Sequence, residues 1–366
     1  MKLIHMADLH LDSKLDANLP KDKVGIRKNE LLHNFERVFE YAVEEKVNVV
    51  LIAGDLFDTG RITRTTRDVV YETVRKHPEI QVYYLRGNHD SYQAAVEDLP
   101  ENMHLFAETW ASYELGDNGS GKKVMLYGIE LDRNNTGVAS AALHTQENDI
   151  NIVMLHGQQT EYSAGDQAET IHVKKFASKN IDYMALGHVH KYQRDEIDSR
   201  GTWCYPGCLE GRGFDEPGEH GFVVLETEGN RIKDTFVPFA KRKIFDCKID
   251  ISGLKDAIEI SDKISKALKG EGCNGDDILK VTLNGEVDPE SDINTSYLNE
   301  RFKNEYFFIK IKDDTHSKID FSGYDGDLSL KGEAVRGIAD LDMSDERKSD
   351  ILRIITRALN GEKLER

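Results

Sequence analysis

Five short apolar runs in the first 190 residues each stop at side chains that carry oxygen or nitrogen donors. They end in Asp8-Leu9-His10, Gly54-Asp55-Leu56-Phe57-Asp58, Gly87-Asn88-His89-Asp90, His156-Gly157 and Gly187-His188-Val189-His190. A sixth run, ending near Glu130, has no such group. Carboxylates, imidazoles and one amide, with no thiolate among them, suit manganese, iron or magnesium better than a structural zinc site. Seven donors are too many for one ion and about right for two ions that share a carboxylate. Two ions about 3.5–4 Å apart clamp the attacking and leaving oxygens of a phosphoryl displacement. Any one of these motifs alone reads as a hydrogen-bonded core residue; their order and repetition carry the argument.

Such groups converge only if the apolar runs are strands of one α/β sheet system, because ligands there collect at the carboxyl ends of strands. The runs are Lys2–Met6, Val47–Ala53, Ile80–Leu85, Val124–Ile129, Ile150–Leu155 and Ile181–Leu186, alternating with helix-like segments. Leu31, Leu32, Phe35, Val38, Phe39, Ala42 and Val43 recur at the three-and-four spacing of a helix with one apolar face. Residues 200–240 have a β texture and close the first domain, followed by the basic link Lys241-Arg242-Lys243. Ile244–Ile251, Leu254–Leu268, Ile278–Val287, Asp292–Lys303 and Tyr306–Lys312 then alternate as a small β-α-β-α-β module. A polar, Gly-rich stretch over 313–330 reads as a linker, and an amphipathic helix with Ser344 as N-cap and Gly361 as stop ends the chain.

Composition narrows the class. Hydrophobic residues make up 39% and charged residues 31% of 366, and no stretch approaches the run of about 20 apolar residues that a membrane helix needs. The start of the chain lacks a signal-peptide pattern, and Cys204, Cys208, Cys247 and Cys273 read as reduced, buried thiols; both point to the cytoplasm. A formal charge of −18 argues against a generally basic nucleic-acid binder, although divalent cations or local basic patches reverse the sign at a site. Any DNA affinity without metal is therefore expected to be weak.

The five donor motifs, in this order, identify the chain as a member of the calcineurin-like metallophosphoesterase superfamily. It resembles SbcD-like and YhaO-like DNA repair exonucleases more closely. The segment Ile4-His5-Met6-Ala7-Asp8-Leu9-His10-Leu11-Asp12-Ser13 is similar to their opening motif. Tyr205-Pro206-Gly207, Gly211-Arg212 and Glu216-Pro217-Gly218-Glu219-His220-Gly221 are similar to the segment after their last metal motif. The likeness is specific over residues 1 to about 240 and architectural beyond. It implies an α/β (α+β) four-layer β-sandwich flanked by helices over residues 1–242. A small α/β capping domain over 243–318 and a linker with a C-terminal helix over 319–366 complete the expectation.

Position by position, the resemblance implies one cation on Asp8, His10, Asp55 and His190 and a second on Asp55, Asn88, His156 and His188, with Asp55 bridging. His89 would stand beside the scissile phosphate, stabilising developing charge and protonating the leaving oxygen. Asp58 and Asp90 are either carboxylates that orient ligands from behind or loop caps. The implied ions are manganese first, with iron(II), magnesium or zinc as alternatives. The implied activity is DNA exonuclease action in repair or recombination, on ends or single strands. Lys14 replaces a Pro of the YhaO-like pattern and Cys208 a common polar residue; neither is a ligand.

Arg61, Arg64 and Arg67, at three-residue spacing, share a helix face and either hold DNA phosphates or form a solvated surface. The apolar stripe Ile351, Leu352, Ile354, Ile355, Ala358 and Leu359 docks on its own core by default; the family suggests a coiled-coil ATPase of the SbcC kind, and a homodimer is a further candidate. Two other functions stay open: a phosphatase or phosphodiesterase for small or protein phosphates, favoured by the acidic charge, and a scaffold with a degenerate metal site.

Overall fold

The computed structural model describes the chain except residues 16–18, 59–61, 91–97, 161–168, 230, 289–290, 292, 318–325 and 360–366. The chain divides into two compact units, Met1–Lys243 and Ile244–Arg366.

The first unit is built on β1 (Lys2–Met6), β2 (Val49–Ala53), β3 (Gln81–Leu85), β4 (Met103–Leu105), β5 (Ala111–Asp117), β6 (Lys123–Gly128), β7 (Ile150–His156), the short pair β8 (Gln158–Gln159) and β9 (Thr170–Ile171), β10 (Tyr183–Gly187), β11 (Gln193–Glu196), β12 (Thr202–Tyr205), β13 (Gly221–Glu228) and β14 (Arg231–Pro238). Among the described residues these form two six-stranded sheets, ordered β14-β13-β1-β2-β3-β4 and β11-β12-β10-β7-β6-β5. β1, β2 and β3 run parallel, as do β6, β7, β10 and β12. Every residue of β2, β7 and β10 is buried, the pattern of strands covered on both faces.

The sheets face each other across a layer that includes Leu51, Ala53, Leu85, Leu126, Ile152, Met154, Ala185 and Leu225. Helices α1 (Lys21–Glu44) and α2 (Arg64–Lys76) cover the outer face of the first sheet through Leu31, Phe35, Val38, Phe39, Val70 and Val74. The outer face of the second sheet is covered by thinner pieces, a helix at Ala139–Ala142 and a 3₁₀ turn at Val173–Phe176. This is a mixed α/β sandwich in four layers. The α1 stripe is narrower than the spacing predicts, since Val43 is 48% exposed, and the helix starts ten residues before Leu31.

The second unit holds a parallel three-stranded sheet of β15 (Ile244–Asp250), β16 (Ile278–Asn284) and β18 (Phe308–Asp313), with helices at Ala257–Gly270 and Thr295–Phe302 and the short parallel pair β17 (Glu286–Val287) and β19 (His316–Ser317). Two further helices follow, Leu330–Ala339 and Asp345–Leu359, joined through Val335, Ile338 and Leu352. The first of these starts at the end of the stretch read as linker and was not expected, because Gly332 and Gly337 hide helical periodicity. Ser344 stands at the N-terminal cap of the last helix, its Oγ 3.5 Å from the amide of Arg347; the expected stop, Gly361, lies outside the described residues.

Candidate metal centre

The loops that follow β1, β2, β3 and β10, together with the last residue of β7, carry the donor side chains. The first two loops are zipped together by backbone bonds: Asp8 N–H donates to Gly54 O at 3.0 Å, His10 N–H to Asp55 O at 2.9 Å and Leu11 N–H to Leu56 O at 3.0 Å. This forces unusual backbone. Asp8, His10, Asp55 and His188 have φ values of 53°, 44°, 51° and 109°. Each such non-glycine residue costs on the order of 1–3 kcal/mol and persists only where its surroundings over-determine it. Four of the eleven non-glycine residues with positive φ among the described residues are thus ones whose types point to metal binding.

Two glycines are required here. At Gly54, with φ of 94°, a Cβ would lie 2.0 Å from His156 Nδ1; at Gly87 it would lie 2.3 Å from Asp55 Oδ1. Neither neighbour has room to retreat.

The seven expected ligands gather into one connected site. Asp55 Oδ2 lies 3.6 Å from His10 Nε2 and 3.5 Å from His156 Nε2, between the two imidazoles. His10 Nε2 and His190 Nε2 face each other at 3.1 Å, and His156 Nε2 is 3.1 Å from Asn88 Oδ1. The His188 amide donates to both oxygens of Asp8, at 2.9 and 3.0 Å, and its ring stands edge-on to His156. Asp8, His10 and His190 form one set of donors within 4.8 Å of one another, and Asp8, Asp55 and His156 form another.

The far side of each ring explains why its Nε2 is presented. His156 Nδ1 bonds Ala53 O at 3.0 Å, and His190 Nδ1 bonds Glu216 Oε1 at 2.7 Å. His10 Nδ1 lies 3.4 Å from Asp58 Oδ1, near enough for attraction but too poorly aligned for a hydrogen bond. These neighbours hold each ring from behind, with Arg212 Nη2 also 3.0 Å from His190 Nδ1, and turn Nε2 toward the shared pocket. Two imidazole nitrogens 3.1 Å apart, with the Asp8 and Asp55 carboxylates beside them, make the close nitrogen and oxygen donor set that a divalent cation takes. The residues therefore fit a pair of divalent ions.

The titration behaviour follows from burial and these neighbours. Burial pushes the Asp8 carboxyl up to about 7, against the opposing pull of His156 and His190. Burial would also lower His156, but its hydrogen bond and charge interaction with Asp55 outweigh that and raise it to about 9. Asp55 is held well below the usual carboxylate range by His156 and His10 despite burial. Burial, then the nearby positive charge of His156, lowers His188 to about 4.

His89 is 44% exposed at the mouth of the site, its ring 5.0 Å from His10, with its amide on Asp55 Oδ1 at 2.9 Å and its Nδ1 3.2 Å from Asp58 Oδ1. Asp58 thus stands behind two imidazoles. Asp90 instead accepts the amides of Phe57 and Gly87, both at 2.9 Å, and of Leu56 at 3.3 Å, so it caps the second and third loops. Beside Asn88 a cavity of about 180 Å³ is walled by Glu108, Asp132, Glu169 and the Arg86–Glu130 pair.

Of the three arginines, Arg61 lies outside the described residues. Arg64 is 87% and Arg67 16% exposed, and both lie within 4.0 Å of Asp68. Glu216 and Arg212 stand out only in three dimensions: Glu216 Oε1 takes His190 Nδ1 and, at 2.8 Å, Arg212 Nη2, which holds the Glu216 carboxyl well below its usual range despite burial. Their segment carried a resemblance but no role, since nothing in its spacing says which histidine it meets.

A family model described as calcineurin-like phosphoesterase matches residues 1–192. The chain is 27% identical over 244 residues to the uncharacterized metallophosphoesterase YhaO of Bacillus subtilis, covering 64% of this chain and 60% of that protein. It is 26% identical over 323 residues to the DNA double-strand break repair protein Mre11 of Methanopyrus kandleri, covering 79% of this chain and 69% of that one. Among solved structures, a dimetal phosphatase from Danio rerio is similar at a TM-score of 0.42 and 10% identity, over 65% of this chain and 99% of that one, too distant to bear on chemistry.

Proposed function

Because the chain belongs to the calcineurin-like phosphoesterase family, which makes it a hydrolase of phosphate esters, we propose that it is a two-metal phosphodiesterase acting on DNA as an exonuclease in repair or recombination. The observation that carries the metal reading is Asp55 Oδ2 standing between His10 Nε2 and His156 Nε2 at 3.6 and 3.5 Å. Asp8, His10, Asp55 and His190 would hold one ion and Asp55, Asn88, His156 and His188 the other, with manganese as the native metal. When bound, the pair supplies Lewis-acid stabilisation of the phosphoryl oxygens and makes an attacking water more acidic.

The chain supplies orientation and a proton. Asp58 fixes Nδ1 of His89 and leaves Nε2 directed outward, so that this nitrogen delivers a proton to the leaving oxygen. Anchoring of the His89 amide on Asp55 keeps that nitrogen in register with the ligand set. Relatives named as DNA double-strand break repair proteins support DNA as the substrate; the family resemblance, and the apolar stripe of the C-terminal helix, suggest an SbcC-like coiled-coil ATPase as the partner. We place the protein in the cytoplasm.

A second reading, a phosphatase or phosphodiesterase for small phosphates, is favoured by Glu108, Asp132 and Glu169 beside Asn88 and by the charge of −18, which repel a polyanion. The deciding experiment compares a labelled linear duplex with bis-p-nitrophenyl phosphate, using manganese-loaded wild type and His89→Ala. Cleavage of the duplex, lost on substitution with manganese retained, supports the nuclease. Turnover of the small diester alone moves the assignment to the second reading, and undiminished cleavage by His89→Ala removes the role of His89.

A further inference from the structure

The loop between β12 and β13 touches the metal centre through Cys208, Glu216 and Arg212, whose Nη2 lies 3.0 Å from His190 Nδ1. Cys208 bridges to Ala7, the residue before Asp8. The Cys208 amide donates to His190 O at 3.1 Å. Glu216 Oε1 takes His190 Nδ1, while its Oε2 takes the amide of Arg212 at 2.7 Å. A stretch with so little regular structure needs something rigid behind it to aim an imidazole.

That support is a buried ionic cluster on α1. Arg27 is 1% and Glu210 3% exposed. Arg27 Nη2 donates to Glu210 Oε2 and to Gly211 O, both at 2.9 Å, and Nη1 donates to Glu30 at 2.8 Å. Glu210 Oε1 also accepts Asn34 Nδ2 at 3.0 Å and the Lys241 amide at 2.5 Å. Arg242 Nε closes the far side onto Glu30 at 2.9 Å. Gly211, gripped by Arg27, directly precedes Arg212. Taking such charges out of water costs several kcal/mol per ion, and an apolar pair of similar volume is commonly as stable. Stability alone does not explain the cluster; a fixed register of the loop does.

We infer that Arg27 and Glu210 are positioning residues for the cation held through His190, acting along Gly211, Arg212 and Glu216 without touching substrate or metal. The inference rests on the reading of His190 as a ligand. Loosening a contact on α1 then weakens one metal site and spares the other, which contains Asn88, His156 and His188.

The test titrates manganese alone into the metal-stripped full chain and counts bound ions, with a thermal melt in chelator as the check on folding. Wild type binds two. Glu210→Gln, close in shape but uncharged, is expected to stay folded and keep one ion at wild-type affinity while the other weakens about tenfold, the usual scale for a residue behind a ligand. Arg27→Lys keeps the positive charge but cannot hold Glu210, Gly211 O and Glu30 together; it is expected to show the same split in a milder form and carries the test where Glu210→Gln does not fold. Two ions bound as tightly as in wild type, or both weakened in parallel, overturn the inference. His190→Ala separates the premise from the inference: it must lose one ion, and if it retains two, the ligand assignment itself fails.

Discussion

At the scale of single residues, the centre is organised by groups that stand behind the donors. Asp58 is the clearest case, because one carboxylate oxygen lies 3.4 Å from His10 Nδ1 and 3.2 Å from His89 Nδ1. His10 and Asp55 lie in front of it and would meet the cation directly. Asp58→Asn should therefore lower kcat about 10–100-fold while leaving two manganese ions bound. Asp55→Asn should release metal from both positions. Measuring metal content beside turnover distinguishes them, and an Asp58→Asn protein with unchanged turnover would deny the orienting role. Asp90 differs: its three backbone amides show a loop cap, one of the two readings that its sequence position left open.

At the scale of elements, α1 does more than cover a sheet. Its apolar face packs outside the first sheet, while Arg27, Glu30 and Asn34 reach into the ionic cluster. Burial would raise the Glu30 carboxyl, but hydrogen bonds from Arg242 and Arg27 outweigh it, so its folded pKa lies below the ordinary 4.5. A depressed carboxylate stabilises the fold fully above its unfolded pKa and loses that contribution as pH falls through the folded value. Thermal melts should accordingly decline on acidification below about 4.5, and Glu30→Gln should flatten that acid limb while lowering stability near neutrality. A variant whose acid limb matches wild type would show that the cluster does not act through Glu30. In the second unit, Asp256 accepts the amides of Ile258 and Glu259, both at 2.9 Å, to cap the helix Ala257–Gly270. Asp256→Ala should cost about 1 kcal/mol by denaturant unfolding, and a loss near zero would mean the cap is replaced by water.

At the scale of the whole molecule, charge and the C-terminal helices set the remaining expectations. With a formal charge of −18 and an acidic wall beside Asn88, the chain should bind duplex DNA weakly in chelator and more tightly in manganese. Equal affinity in both conditions, by fluorescence anisotropy at fixed salt, would remove the metal from DNA recognition. The last two helices share a small core of Val335, Ile338 and Leu352 yet expose Leu330, Ile354 and Leu359. If the last helix receives a coiled-coil ATPase, that partner should co-purify with the full chain and not with one ending near Asp340. Equal recovery would exclude this site. Among the described residues no helix is long and apolar enough to cross a membrane.

The linear order of donors after apolar runs marked the five segments that meet, because a strand's end and a ligand's chemistry are both local properties; the choice of seven ligands within them came from the family resemblance. It was also enough to predict most strands of the first unit, where continuous burial leaves an uninterrupted apolar signature. The aim of each imidazole was not local. His190 is oriented by Glu216, 26 residues later, and the loop carrying Glu216 is held by Arg27 on a helix more than 180 residues earlier in the chain. Hydrogen bonds between such distant segments leave no period or spacing in the sequence, so only the packing of α1 against the loop after β12 could reveal them.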